Sequence, residues 1–260
     1  MTDIHLPEEE IEEEQGPQMG LLEHLNELRI RLTWAAGGVL VATIISFIFA
    51  RQLLDFLLWP YANSVAGQAQ LQTLRPTEGI ETFFKVALLA GAILSMPFTL
   101  YQLWLFVSPG LTKKEKRYVY IFIPSALLLF GLGIAFAWFI LVPAAVLFLA
   151  NFLPDIFKTE WTGQEYISFL TTMLFWIGVS FEMPIVVYFI ARAGVVSART
   201  LREQWRVAIV AIAVLAAAIT PSIDPITMLL TMAPLIVLYG LSILLARVGQ
   251  RQFERAMAVE

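Results

Sequence analysis

Hydrophobic residues occur along the chain in six long blocks separated by short polar segments. A membrane-spanning helix needs about 20 apolar residues, and five of the six blocks reach or approach that length. The fifth block has only about 15 residues, so it requires a thinner bilayer or shielding by neighbouring helices. The pattern predicts an all-α membrane protein with six transmembrane helices, at about 32–50, 84–107, 118–142, 166–191, 206–220 and 226–246.

Composition supports this class and excludes several kinds of chemistry. Of the 260 residues, 58% are apolar and only 15% are charged, against about 25% charged residues in a typical soluble domain. The chain has no cysteine, which excludes disulfides, thiolate metal sites and cysteine nucleophiles. Two histidines are too few for a His-rich metal site. Sequence motifs for nucleotide hydrolysis, serine hydrolases and zinc proteases do not occur. We therefore predict no catalytic residue, no metal and no cofactor.

The two ends of the chain differ from its middle. Residues 1–19 carry one aspartate and six glutamates with few apolar side chains, which predicts a disordered acidic tail and not a signal peptide. Residues 20–32, GLLEHLNELRIRL, place leucines on one stripe and predict an amphipathic helix at the membrane surface. The predicted organisation is the tail, a six-helix transmembrane domain over 20–246 and a cytoplasmic C-terminal tail over 247–260.

Basic residues and prolines predict the orientation and the shape. Thirteen of the 17 Lys and Arg residues fall on the side of the membrane that holds the N-terminus, and four fall on the other side. The positive-inside rule therefore places both termini in the cytoplasm, which agrees with an even number of spans. Prolines cause kinks, and repeated kinks predict a curved, cupped bundle. The prolines in or at the ends of spans are Pro97, Pro124, Pro143, Pro184 and Pro234.

Two segments between the spans have recognisable local patterns. Residues 52–62, QLLDFLLWPYA, are apolar and aromatic, which predicts an interfacial helix ending at Pro60 in the first outside loop. Before the fifth span, Thr200 and Glu203 have the T-x-x-E spacing of a capping box, which predicts a helix start at that point.

Two carboxylates are candidates for binding a cytoplasmic ligand. Glu27 lies before the first span, and Glu115 lies at the start of the third. A ligand with two guanidinium groups would need two separate carboxylates, because each guanidinium prefers its own bidentate partner. Local roles are equally consistent with these positions. Glu27 and Arg31 have the spacing of an i,i+4 pair, and Glu115 with Thr112 has the spacing of a capping box.

Glu182 is the only charged residue in the predicted span 166–191. A carboxylate at membrane depth costs about 3 kcal/mol or more, so such a residue indicates a functional site. Pro184 follows two residues later and removes a helix hydrogen bond. The alternative is a structural group that is protonated or paired with a neighbouring helix.

Several sequence motifs occur along the chain in the order in which one protein family carries them. From residue 20 to 246 the chain therefore resembles the TatC family, the multispanning subunit of the twin-arginine protein translocase. The resemblance implies six helices in a cupped shape with both termini in the cytoplasm. The motifs are HLNELRIRL (24–32), WPY (59–61), YQLWLFVSPGLTKKEKR (101–117), SFEMP (180–184) and ITPSIDP (219–225).

The resemblance implies a receptor for folded proteins whose N-terminal signal peptide has two consecutive arginines. Glu27 and Glu115 match the family residues that contact the arginine pair. Glu182, with Pro184 beside it, matches an intramembrane glutamate that contacts the single-span subunits TatA and TatB. Further implied positions are those around the arginine site, Leu25, Arg29, Phe106, Lys116 and Arg117, and the outside-loop positions Pro60 and Asp224.

The function implied by the resemblance is transport driven by the proton-motive force, without covalent chemistry. It implies a multi-pass protein of the bacterial plasma membrane, in contact with the lipid bilayer, that forms a homo-oligomer within its complex and binds no nucleic acid. One position departs from the family, since Gly240 stands where relatives often carry a glutamate. The alternative function is a proton-coupled secondary transporter of a small solute, with Glu182 as its ion site. That alternative predicts inverted repeats, and no such symmetry is visible in the sequence.

Overall fold

The computed structural model describes residues 21–64, 71–107, 119–153, 155–156, 161–192, 194–220 and 224–257. These residues are helical apart from short connections, and the only β-type pairing among them is an isolated parallel bridge between Gln72 and Thr162. The helices of the first part of the chain are α1 (Leu21–Ser64), α2 (Glu78–Leu94), α3 (Met96–Val107), α4 (Val119–Phe136), a π-helical turn (Ala137–Leu141) and α5 (Val142–Ala150). Those after it are α6 (Gly163–Phe181), α7 (Met183–Arg192), α8 (Ala198–Glu203), α9 (Trp205–Ile219) and α10 (Pro225–Met257).

The predicted class, an all-helical protein with several apolar helices, is confirmed. Four helical stretches are long and apolar enough to cross a membrane, and α2 with α3 makes a fifth candidate bent by 53°. Helix α9 has 15 residues, so it is about 22 Å long against a hydrocarbon core of about 30 Å. The count of six spans and the side of the termini stay predictions. The four long stretches are Leu22–Ala62, Tyr120–Ala150, Gly163–Arg192 and Pro225–Gln252.

Helix α1 continues without a break through the segment predicted to be a separate interfacial helix. The prediction of a helix end at Pro60 in an outside loop is wrong, because Pro60 is buried inside this 44-residue helix. Tertiary packing holds the helix together on both sides of the proline. Leu57 and Tyr61 are buried in the main core, and the hydroxyl of Tyr166 donates to the Leu57 carbonyl at 3.1 Å. The amphipathic segment 20–32 likewise runs into α1 as one helix from Leu21.

Two spans are broken at the same short sequence, in which a polar residue precedes Met-Pro. Helix α2 gives way to α3 at Ser95, and α6 gives way to α7 at Glu182. The proline follows as the second residue of the new helix, Pro97 in one case and Pro184 in the other. Proline is compatible with the first turn of a helix but cannot donate to the turn before it, so the earlier helix ends.

The π-helical turn between α4 and α5 lies against α1. Trp138 in this turn stacks on Phe56 of α1, with ring centroids 4.3 Å apart and planes 14° from parallel. A π-helical turn is wider than an α-helical turn and re-aims the side chains that it carries. Here it directs a large indole into the space between α1 and α4.

The buried core is divided into a large cluster and smaller ones. The large cluster is centred on α6, where Tyr166, Ile167, Leu170, Met173 and Ile177 are almost fully buried. A second cluster joins α3, α4 and α7. It contains Leu100, Trp104, Phe122, Ala126 and Ile185.

A polar network ties the start of α2 to the start of α6. Arg75 donates to the side-chain oxygen of Gln164, whose amide donates to Glu81 at 2.5 Å. Glu78 accepts from the Arg75 guanidinium at 3.5 Å and from the backbone N–H of Leu74 at 2.9 Å. The carboxylate of Glu78 is therefore both buried and hydrogen-bonded, as buried charge requires.

The segment before α9 differs from the prediction at one cap. The predicted capping box of Thr200 and Glu203 is wrong, because α8 begins at Ala198 with Ser197 as its cap. The Ser197 hydroxyl accepts from the Thr200 N–H at 3.0 Å, and Glu203 pairs with Arg199 at 2.7 Å. Helix α10 extends to Met257, so most of the predicted C-terminal tail 247–260 is helical. The predicted acidic tail lies outside the described residues.

Candidate functional site

Glu27 lies on α1 and forms an ion pair within its own helix. Its Oε1 atom accepts from Nε of Arg31 at 3.1 Å and from Nη2 at 2.9 Å. The side chains are largely covered, at 19% exposed for Glu27 and 29% for Arg31. The i,i+4 pair considered for Glu27 from the sequence is therefore present. Such a pair contributes only about 0.3–0.5 kcal/mol, so it orients the carboxylate without excluding another ligand.

The start of α1 meets the end of α3 through two rings. His24 stacks on Phe106 with ring centroids 4.4 Å apart and planes 21° from parallel. Glu27 lies one helical turn after His24, so this contact places Phe106 and Glu27 at the same end of the bundle. Two of the candidate binding residues, separated by 79 positions in the sequence, are thus brought to one site.

The other candidates around Glu27 are placed differently. Leu25 and Arg29 are exposed on α1, two positions before and after Glu27. Residues two apart on a helix do not face the same direction, so they flank the carboxylate without sharing its face. The remaining three candidates, Glu115, Lys116 and Arg117, lie outside the described residues.

Gln102 is a further candidate near this site that the sequence analysis did not single out. It lies on α3, one turn before Phe106, and only 6% of it is exposed. Its Oε1 atom has no hydrogen-bond partner among the described residues. A buried unsatisfied amide costs about 1–3 kcal/mol, which makes it a candidate for contact with a ligand. The signal in the sequence was a glutamine within the apolar run YQLWLFV.

Glu182 occupies the break between α6 and α7 and is 7% exposed. Its backbone is satisfied, because its N–H donates to Val179 at 3.0 Å and its carbonyl accepts from Ile185 at 3.1 Å and Val186 at 3.0 Å. Its side-chain Oε1 atom is buried and has no hydrogen-bond partner in the part of the chain that the structure describes. Pro184 beside it is almost completely buried. The break therefore presents an unsatisfied carboxyl oxygen inside the bundle.

Pro60 and Asp224 lie near helix ends away from these acids. Pro60 is in the last turns of α1. Asp224 precedes α10, and its Oδ1 atom accepts from the N–H of Thr227 at 2.6 Å, which caps that helix. No group of three His, Asp or Glu residues that could hold a metal ion occurs within the described ranges.

An apolar hollow of about 670 Å³ lies between α1, α2, α4 with its π-helical turn, and α6. Ser46 contributes a hydroxyl group to a lining that is otherwise apolar or aromatic. Leu174 lines the hollow from α6, two turns before Glu182. Other lining residues include Phe49, Phe56, Leu89, Ile93 and Trp138.

Comparison with known sequences finds a single protein family. The family model described as Sec-independent protein translocase protein (TatC) matches residues 23–234. The Sec-independent protein translocase protein TatC of Helicobacter pylori strain J99 is 37% identical over 224 residues, 86% of this chain and 87% of that protein. The TatC protein of Deinococcus radiodurans is 35% identical over 254 residues, 95% of this chain and 94% of that protein. An uncharacterized tatC-like protein, ycf43, of Gracilaria tenuistipitata var. liui is 36% identical over 231 residues, 89% of this chain and 95% of that protein.

Comparison with solved structures agrees. A crystal structure described as the twin arginine translocase receptor TatC superposes with a TM-score of 0.80 at 36% identity, covering 88% of this chain and 100% of that one. A second crystal structure of such a receptor, in DDM, superposes with a TM-score of 0.78 at 36% identity. It covers 86% of this chain and 99% of that one.

Proposed function

Because this chain belongs to the TatC family of Sec-independent protein translocase proteins, we propose that it is the receptor subunit of a twin-arginine translocase. It binds signal peptides that carry two consecutive arginines. Together with single-span subunits of the TatA and TatB types, it moves folded proteins across the membrane at the expense of the proton-motive force. The family is one of protein translocase subunits and not of enzymes or small-solute carriers, so the alternative transporter function is set aside.

The proposed topology has six spans with both termini in the cytoplasm of a bacterium. Support comes from the long apolar helices, with α9 as a short additional span, and from the distribution of Lys and Arg. The transmembrane domain extends over 20–246, with a cytoplasmic segment on each side. In this orientation Glu27 and Phe106 face the cytoplasm, where a signal peptide arrives.

The observation that carries the proposed binding site is the position of Glu27 beside the paired rings of His24 and Phe106. Arg31 holds the carboxylate in place while the site is empty. The i,i+4 pair contributes only about 0.3–0.5 kcal/mol, so a peptide arginine that binds Glu27 loses little by replacing it. The peptide's first guanidinium therefore displaces Arg31 from Glu27, and its second binds Glu115.

Peptide insertion and partner assembly follow capture. The apolar stretch of the signal peptide lies along the cupped face, for which the apolar hollow of about 670 Å³ offers matching surface. Glu182 binds a polar side chain in the single span of a partner subunit. Support for this contact comes from the buried Oε1 atom, since satisfying it recovers about 1–3 kcal/mol. Further copies of this chain join the same complex.

Substitution of Glu27 tests the site against a matched control. Glu203 also forms an i,i+4 pair with an arginine, but it lies on α8. We expect Glu27→Gln to lower affinity for a twin-arginine peptide by roughly 5- to 150-fold, the equivalent of about 1–3 kcal/mol. Glu203→Gln should bind like the parent, and a twin-lysine peptide should bind weakly to all three proteins. Equal affinity of Glu27→Gln and the parent would overturn the proposed site.

A further inference from the structure

A second groove lies between α4, α7 and α10, away from the sites described above. Its volume is about 330 Å³. The hydroxyl of Ser125 donates to carbonyls of its own helix, at 2.7 Å to Ile121 and 2.9 Å to Phe122, so it adds little polarity to the surface. The interior of the groove is therefore suited to hydrocarbon. The full lining is Ile121, Phe122, Ser125, Leu129, Ile185, Tyr188, Phe189, Leu241 and Leu245.

Aromatic packing keeps this groove open. Phe189 meets Phe122 edge to face, with centroids 4.8 Å apart and planes at 90°. It also meets Tyr188 at 5.1 Å and Trp104 at 5.5 Å, again nearly perpendicular. Rings held in such contacts on several sides cannot rotate to fill the neighbouring space.

A polar cluster that includes Arg192 lies next to the groove. On α7, Arg192 lies one turn beyond Tyr188 and continues the stripe that lines the groove. Gln252 on α10 accepts from the Tyr188 hydroxyl at 2.9 Å and from Nη1 of Arg192 at 2.7 Å. These two bonds hold the guanidinium at the end of the apolar channel.

Close contact of the two backbones closes the floor of the groove at the same point. A Cβ atom on Gly249 would lie 2.6 Å from the carbonyl oxygen of Tyr188, so only glycine permits this approach of α10 to α7. The groove is thus lined by α4, α7 and α10, and Arg192 lies one turn beyond Tyr188, which contributes to that lining.

We propose that this groove binds one acyl chain of an anionic phospholipid, whose phosphate group lies on the guanidinium of Arg192. An apolar channel with a cation at one end is complementary to such a lipid in both shape and charge. A guanidinium has five N–H donors in a planar fork that suits phosphate, so it can bind a headgroup while remaining bonded to Gln252. The proposed orientation of the receptor makes this a lipid of the cytoplasmic leaflet, where anionic headgroups attract basic side chains.

The size of the groove favours an acyl chain over a helix of a partner subunit. A partner helix is about 10–12 Å across with its side chains, so it would lie over the groove between α4 and α10 and not inside it. A hydrocarbon chain is much thinner than a helix and can enter lengthwise.

Lipid binding to the purified full-length protein tests the proposal. Native mass spectrometry would compare phosphatidylglycerol with phosphatidylcholine of identical acyl chains. We expect tighter binding of one phosphatidylglycerol, weakened about fivefold by Arg192→Gln, because one surface cation changes anionic-lipid affinity by about that factor. Arg251→Gln, an exposed arginine of α10, is the matched control and should bind like the parent.

Filling the groove tests the acyl chain separately. Leu241→Trp should abolish the bound lipid, and Ser125→Phe is the second variant should the first fail to fold in a thermal-unfolding assay. Equal binding of the two lipids, or equal loss in Arg192→Gln and Arg251→Gln, would overturn the proposal. If a folded groove-filling variant keeps its bound lipid but loses its co-purified partner subunits, the groove binds a protein helix instead. Binding of a twin-arginine peptide, measured on the same variants, reports on the receptor function independently.

Discussion

The imidazole of His24 stacks on the ring of Phe106, and this contact joins the first turns of α1 to the last turns of α3. The two helices also pack directly against each other, since a Cβ atom on Gly38 of α1 would lie 2.5 Å from the ring of Phe98 on α3. The stack extends this packing to the ends of the helices, so it helps to fix how far the carboxylate of Glu27 lies from the end of α3. Because the segment that carries Glu115 follows α3 directly in the sequence, the same contact also limits where the second proposed carboxylate can lie.

Removing the ring of Phe106 is expected to weaken binding of a twin-arginine peptide severalfold. The stack contributes about 0.5–1.5 kcal/mol beyond its buried area, and its loss frees the end of α3 from α1. Phe106→Tyr keeps the ring and should bind like the parent. Phe152→Ala, which removes an aromatic contact with Phe148 at 5.6 Å in another part of the fold, is the control. Unchanged peptide affinity in Phe106→Ala, measured by titration calorimetry, would show that the stack does not organise the site.

Gln102→Leu is expected to separate stability from binding. The change removes a buried amide whose Oε1 atom has no partner among the described residues, so thermal stability should be unchanged or higher. Peptide affinity should fall by roughly 2- to 12-fold, the equivalent of one hydrogen bond of about 0.5–1.5 kcal/mol. Thr171→Val, on α6, removes a hydroxyl that already donates to the Ile167 carbonyl at 2.7 Å and should leave affinity unchanged. A loss of stability without a loss of affinity would make Gln102 a structural residue.

Glu182→Gln and Glu182→Ala are expected to differ in partner assembly. An amide can still accept and donate hydrogen bonds within the bundle, whereas a methyl group cannot. Co-purification of TatA-type and TatB-type subunits should therefore be largely retained by the glutamine variant and reduced in the alanine variant. Both should still bind a twin-arginine peptide, because Glu27 lies at the other end of the proposed pathway. Full assembly and transport by Glu182→Ala would contradict the partner contact.

Glu78→Ala is expected to lower the melting temperature by about 2–12 °C. The substitution removes a buried acceptor and leaves the N–H of Leu74 without it, at a cost of about 1–3 kcal/mol. The comparable change Glu203→Ala breaks an exposed pair and should shift the melting temperature by no more than about 2 °C. Differential scanning fluorimetry of the purified proteins measures both. Equal shifts would show that the polar network around Glu78 does not stabilise the fold.

Cysteine labelling is expected to show the proposed topology. The chain has no cysteine of its own, so Lys114→Cys, Glu160→Cys and Thr200→Cys each provide a unique target. A membrane-impermeant reagent added to intact cells should label only position 160, and all three should react after lysis. Labelling at position 114 in intact cells would reverse the orientation.

Local sequence was sufficient to predict the class of protein and the helix break before Pro184. The backbone in a bilayer must satisfy its own hydrogen bonds, so a long apolar block is necessarily helical. Pro184 removes a helix hydrogen bond from a predicted span, and in the structure α6 ends just before it. Pro60 also lacks a backbone N–H but does not end its helix, because α1 is held on both sides of it by the main core.

The hydrophobic blocks by themselves determined an all-helical membrane protein, and the ordered motifs determined its family, since both depend on residues close together in the chain. Only the tertiary structure placed Phe106 beside the turn that carries Glu27, left the Oε1 atoms of Gln102 and Glu182 buried, and aligned Arg192 with an apolar groove. These relationships join residues far apart in the sequence. They depend on how whole helices approach one another, and helix packing is decided by side-chain shapes at the contacts and not by the periodicity of any single helix.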